Sequence, residues 1–209
     1  MNPATITDGT QFLAWTDAQK TSALFRLAAE EGGDTVSLFG QTPQFPIADA
    51  DFELFATVFA ARKNTRIALS HKEFIRKTFL RFRPFFPNLT AETVHVHDNS
   101  KLNSFIEVIG YTEKWVHGTT IHWEAAKQHH YDVNSHHPEF HHGNEMTASD
   151  LEESVVDMLA IQWERRYGGD DTVPAATLVT IDDVYLQRYV VADRPRVRQL
   201  LDLIAKSDL

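Results

Sequence analysis

The sequence predicts an all-α protein, and three observations carry that expectation. Apolar residues recur at helical spacing, as in Phe52, Phe55, Ala56 and Phe59, or Leu151, Val155, Val156 and Leu159. The strict alternation that marks a half-buried strand is scarce. Ser, Thr and Asp stand where helices would begin, and Gly and Pro where they would end. No internal repeat or low-complexity tract interrupts this pattern.

Taken in order, the first helix is expected after Thr16, with Gln19 at the reciprocal capping position and Gly32-Gly33 as the stop. Residues 34–48 read as a loop broken by Pro43 and Pro46, with a short extended piece at 35–39. Asp49 is placed to cap a second helix, and a third is expected over 66–82, where Ile67, His71, Phe74, Ile75, Thr78 and Phe82 share a face. Pro84 and Pro87 close it, and Thr90 opens a helix expected to carry Val94, His97 and Asp98. An amphipathic stretch with Phe105, Ile106 and Val108 should end at Gly110, and Thr119 or Thr120 precedes a helix with Trp123, Ala126 and His130 on one face. Pro138 and Gly143 predict a structured loop. Ser149 and Glu152 match a capping box for a helix of Leu151 to Ile161 with Asp157 inside its apolar pattern. Leu178 to Ile181 reads as extended, and Asp193 to Ile204 as a last helix.

At 209 residues the chain can bury a real core without staples, and it has no cysteine, which excludes disulfides, iron–sulfur clusters and a thiolate nucleophile. With 29 acidic against 20 basic residues the formal charge is −9, which argues against general binding to a nucleic-acid backbone. Two basic clusters, Arg76, Lys77, Arg81 and Arg83, and Arg188, Arg194, Arg196 and Arg198, are either solvated faces or the lining of an entrance for an anionic substrate. No apolar stretch approaches the roughly 18 residues a membrane span needs, and Met1 to Thr10 lack a secretory pattern, so a cytoplasmic protein without membrane partners is expected.

The chemistry concentrates around His97-Asp98-Asn99-Ser100-Lys101, which sets an imidazole beside a carboxylate and an ammonium three positions later. His71 precedes it, the stretch from His129 to Glu139 follows, and Asp157 lies on a later helix. These nitrogen and oxygen donors suit a divalent ion with positions left for water. Such an ion lowers the pKa of bound water, and a neighbouring ammonium such as Lys101 neutralises charge on a phosphoryl group. For Asp157 the alternative is a buried ion pair with Arg165 or Arg166, and for Lys101 a salt bridge to Glu107.

The order His71, His97-Asp98, Asp157 resembles the HD-domain superfamily of metal-dependent phosphohydrolases. The resemblance implies an HD-domain-like helical bundle, with these four residues on a first metal. A closer resemblance is to the DUF5662-type group, through His97-Asp98-Asn99-Ser100-Lys101, Trp123-Glu124-Ala125-Ala126 with His130, and Asn134-Ser135-His136-His137-Pro138-Glu139. It covers roughly residues 65–166. This sequence departs from the group at Leu102, where an aromatic commonly stands. The superfamily pattern does not choose among the histidines for a second metal; His130 and His137 are assigned, with His136 the next candidate.

The implied organisation is a helical extension at 1–64, a metal-binding core at 65–167 and a C-terminal segment at 168–209 packed on the core. The implied activity is a metal-dependent phosphohydrolase using one or two ions of Mn, Mg, Fe, Co or Zn on a nucleotide or small phosphate ester, as a monomer or homo-oligomer. Lys101 and Glu139 are the expected catalytic side chains, Glu139 accepting a proton or fixing the tautomer of His137. The same ligand set also reads as an HD-type di-iron oxygenase, or as a metal-stabilised module without turnover.

Overall fold

The structure, a computed structural model, describes Thr16 and residues 49–207, and every regular element among them is helical. The expected first helix, the loop at 34–48 and the stripe of Phe52, Phe55 and Phe59 side chains lie outside what is described. Helix α1 (Asp49–Phe82) is one element of 34 residues where the sequence pattern predicts two. No Pro or Gly falls within it, and the polar stretch at 63–65 is absorbed because Thr65 Oγ1 donates back to the Ala61 carbonyl at 3.0 Å.

A 3₁₀ turn at Arg83–Phe85 around Pro84 ends this helix. Helix α2 (Ala91–Val96) starts as expected, with Thr90 Oγ1 accepting from the Thr93 amide at 3.1 Å. It stops short of His97, so the His-Asp pair is not helical. The short α3 (Ser100–Asn103) is followed by α4 (Phe105–His117), which continues through Gly110 and stops at Gly118. Gly110 is a packing glycine and not a stop, since a Cβ there would lie 2.3 Å from the His122 carbonyl oxygen and 2.4 Å from Ala126 Cβ. It lets α4 approach α5 (Ile121–Val133), whose Trp123 amide donates to Thr120 Oγ1 at 3.0 Å.

After a 3₁₀ turn at Pro138–His141 comes α6 (Ala148–Ile161). Its cap is Thr147, which accepts from the Asp150 amide at 3.2 Å, in place of the expected Ser149. Glu152 is not in a capping box; it reaches away to accept from the Asn88 amide and side chain at 2.8 and 2.6 Å. A π turn at Gln162–Arg166 extends α6. Leu178 ends α7 (Ala175–Leu178) and is helical where an extended segment was expected; α8 (Asp183–Leu186) and α9 (Asp193–Ala205) complete the chain.

The described residues fall into two compact units. One takes the residues up to Ile67 with Lys101–His129, the other Ala68–Ser100 with those from His130 onward. In the second, α9 packs on α6, α7 and the turn after α1. Ile75, Phe79 and Phe82 meet Val155, Val156 and Leu159 there, with Val197, Leu201 and Ile204 closing the core. Each fully buried side chain of this size contributes about 1.5–3 kcal/mol. This apolar mass fixes α1 against α6, which is what brings His71 and Asp157 together. In the first unit the notable burial is Glu107, wholly enclosed and accepting from His129 Nδ1 at 2.8 Å. Among the described residues no helix is long and apolar enough to cross a membrane.

Candidate metal centre

Core positions of α1 and α6 also carry polar side chains, among them His71 and Glu153. His71 is buried, and its Nε2 lies 2.9 Å from Asp157 Oδ1 while its Nδ1 lies 3.3 Å from Glu164 Oε2. Glu164, in the π turn, is itself held by the Ser70 hydroxyl, which donates to Oε1 at 2.5 Å. Burial pulls the His71 pKa down, but the hydrogen bonds to Asp157 and Glu164 outweigh it and carry the imidazole to about 9. Burial raises Asp157 in turn, yet the bond from His71 brings it well below the usual carboxylate range.

His97 and Asp98 occupy the turn after α2. His97 takes φ −46° and ψ 130°, and Asp98 takes φ 54°, the left-handed region that costs about 1 kcal/mol or more for a residue with a Cβ and that Asp and Asn tolerate best. The turn is fastened from α1 by Lys72, whose ammonium donates to the His95 carbonyl at 2.8 Å, the His97 carbonyl at 2.5 Å and Asn99 Oδ1 at 2.7 Å. Burial lowers the Lys72 pKa against the pull of Asp98 and Glu153.

The turn aims the two oxygens of Asp98 in different directions. Oδ2 lies 3.7 Å from His97 Nε2, and that nitrogen is 3.9 Å from Asp157 Oδ1. Oδ1 lies 3.4 Å from His130 Nε2 and 3.5 Å from His136 Nε2, and His130 Nε2 is 2.8 Å from His137 Nε2. Two ligand atoms on bonds of about 2.1 Å are separated by about 3.0 Å at a right angle and about 3.4 Å at a tetrahedral one, so most of these spacings match the edges of a coordination polyhedron. Three groups gather ligand atoms within 4.8 Å of one another: His71, His97 and Asp98; His97, His136 and Asp157; and Asp98, His130, His136 and His137. His136 Nε2 is buried and makes no hydrogen bond among the described residues.

These clusters can coordinate a divalent metal ion. Burial, followed by the charge of neighbouring imidazoles, pushes His136 down to about 3 and His137 strongly down, so both present neutral rings, the form that ligates.

The remaining nitrogens are held from outside. His97 Nδ1 faces Glu153 Oε1 at 2.8 Å, and His136 Nδ1 faces the same oxygen at 3.5 Å. Burial and the charge of Asp98 raise Glu153 to about 8. His130 Nδ1 lies 3.0 Å from Asn134 Nδ2 and 3.4 Å from Ser100 Oγ. His137 Nδ1 lies 3.5 Å from Arg188 Nη2, and the same guanidinium grips Glu139 at two points, both 2.8 Å.

Six of the sequence-predicted residues, His71, His97, Asp98, His130, His137 and Asp157, therefore converge in one unit. The partner of Asp157 is His71, in place of Arg165 or Arg166. Glu139 reaches His137 through Arg188, and burial, which would raise its pKa, is overcome by that guanidinium. Lys101 belongs to the other unit, where its ammonium sits over the Tyr111 ring, 5.8 Å from the centroid. Sequence reasoning ranked His136 next after His130 and His137, and left out Glu153, Glu164 and Lys72. Glu153 was findable from Asp157, since positions four apart share a helix face. Of the basic clusters, Arg76 pairs with Glu73, Arg196 with Asp193 and Arg198 with Asp183, and Arg188 alone among these pairs a carboxylate beside a candidate ligand.

An all-helical domain with clustered, buried His and Asp residues is the class these observations define. The chain belongs to DUF5662, a family of unknown function, whose sequence profile matches residues 61–180 and so takes in every histidine and carboxylate of the clusters. No curated protein and no solved structure matches it.

Proposed function

We propose that the protein is a two-metal phosphohydrolase of the HD-domain type acting on a nucleotide or small phosphate ester. The observation that supports it is the divergence of the Asp98 oxygens toward two ligand sets, 3.7 Å from His97 on one side and 3.4 Å from His130 on the other. In this reading His71, His97, Asp98 and Asp157 hold one ion and Asp98, His130, His136 and His137 the other. Such ions supply Lewis acidity and a water of lowered pKa. The residues around them do the positioning: Glu164 and Glu153 orient the His71 and His97 rings, and Asn134 orients His130. The net charge of −9 favours a small substrate over a nucleic-acid polymer.

The test is phosphate release from a broad panel of phosphate esters by protein loaded with Mn, Co, Zn, Fe or Mg. Turnover with at least one ester, lost on chelation, is expected; no turnover by metallated protein would overturn the proposal.

The preponderance of imidazole over carboxylate favours borderline metals over Mg, and this supports a second reading as a di-iron oxygenase. Iron in the purified protein with an oxygen-dependent optical change, and no phosphate release, would select that reading.

A further inference from the structure

We infer that Lys72 is a positioning residue that holds the His97–Asp98 turn so that the two oxygens of Asp98 reach two ligand sets. This rests on the two-ion reading given above. An ammonium has three N–H donors at tetrahedral angles, and all three are used on a single short segment: the His95 carbonyl at 2.8 Å, the His97 carbonyl at 2.5 Å and Asn99 Oδ1 at 2.7 Å. These acceptors bracket Asp98, whose φ of 54° lies in the left-handed region that a residue with a Cβ enters at a cost the surrounding contacts offset. Lys72 adjoins His71 on α1, so the helix that presents one ligand also clamps the turn that presents two more.

The alternative devices around the turn do not duplicate this one. Glu153 holds the His97 ring at 2.8 Å, but it takes a side chain; on the backbone the His97 amide bonds to the Thr93 carbonyl and the Asn99 amide to the Val96 carbonyl, both at 3.1 Å, while the His95 and His97 carbonyls are taken by Lys72. Loss of the clamp should therefore affect the two ion positions unequally. The first keeps His71, Asp157 and the Glu153-oriented His97. The second depends on the Asp98 Oδ1 that the turn aims at His130 and His136, 3.4 and 3.5 Å away.

The experiment is Mn²⁺ titration of chelator-stripped full-length protein, followed by calorimetry and by electron paramagnetic resonance, which separates an isolated ion from a coupled pair. Wild type is expected to take two ions and give the coupled signal. Lys72→Met, with its fold checked by circular dichroism, should keep the first affinity within about threefold and lose about tenfold or more on the second, as displaced outer partners of metal ligands do. Lys72→Arg, whose planar fork cannot match three converging acceptors, should recover the second ion in part. Unchanged binding of both ions by Lys72→Met, or equal weakening of both, would overturn the inference while leaving the two-ion reading standing. A wild type that takes one ion or none would overturn both. Should Lys72→Met fail to fold, Asn99→Ala removes one acceptor and should weaken the second ion severalfold; an unchanged second affinity would overturn the inference.

Discussion

The two halves of the candidate centre are built from the same ligand types and backed by different ones. On the side of His71 and His97, each outward Nδ1 meets a carboxylate, Glu164 at 3.3 Å and Glu153 at 2.8 Å. On the side of His130, His136 and His137, the outward nitrogens of His130 and His137 meet an amide at 3.0 Å and a guanidinium at 3.5 Å, and that of His136 meets Glu153 only at a longer 3.5 Å. A carboxylate behind an imidazole fixes the tautomer and raises the basicity of the ligating nitrogen, whereas a neutral amide only orients it and a cation opposes it. An ion on the first side should therefore be held more tightly and exchange more slowly than one on the second.

Both halves share Asp98, and its loss has the largest expected effect. Asp98→Asn keeps a residue suited to the left-handed turn and deletes the charge, and it should weaken both ions by more than about 100-fold, beyond the 10–100-fold typical of outer partners. Elemental analysis after gel filtration checks this, and loss confined to one ion would show that Asp98 is not shared.

A smaller effect distinguishes the halves. Glu153→Gln should weaken the first ion by about 10–100-fold, while Asn134→Ala should cost the second less than about tenfold. Calorimetric titration reads both, and the reverse order would refute the asymmetry.

The smallest effect is one of pH. His71 rises from 6.5 to about 9 in the folded, metal-free protein, so its contribution to stability is complete below pH 6.5 and is lost as pH rises through 9. Glu153 rises from 4.5 to about 8, and its contribution is likewise lost on the way up to pH 8. Stripped protein should therefore melt a few degrees lower at pH 9 than at pH 6. A metal ion must displace the His71 proton, so its affinity rises over the same interval and the Tm gap between loaded and stripped protein widens. A constant gap across that range would contradict the placement of His71 as a ligand.

Much of the centre was legible because metal ligands come as residue types with few other reasons to cluster. His71 and Asp157 sit in apolar helical patterns where a buried ionisable group needs a partner. The His97 conformation was not legible: Val94 and Asp98 have helical spacing, and only the contacts of Lys72 and the φ of Asp98 show that the pair stands on a turn. Nor could spacing choose among His130, His136 and His137, since one follows from a helix register and the others from the loop before Pro138. The capping residue of α6 was missed for a related reason. Ser149 and Thr147 are both capable, and Glu152 found better donors in Asn88, 64 residues away in sequence.

The candidate ligands lie far apart along the chain. His71 and Asp157 are separated by 86 residues, and Ser100 and His130, at the two ends of the segment that joins the other unit, by 30. An ion held by His71, Asp157 and His130 would act as a reversible cross-link closing several long loops at one point. Because the entropy of closing a loop grows only slowly with its length, the first contact among these segments costs most and later ones come at little further expense. Occupied, the centre would join segments far apart in sequence in the folded state alone, so that binding the ion and closing these loops become one event.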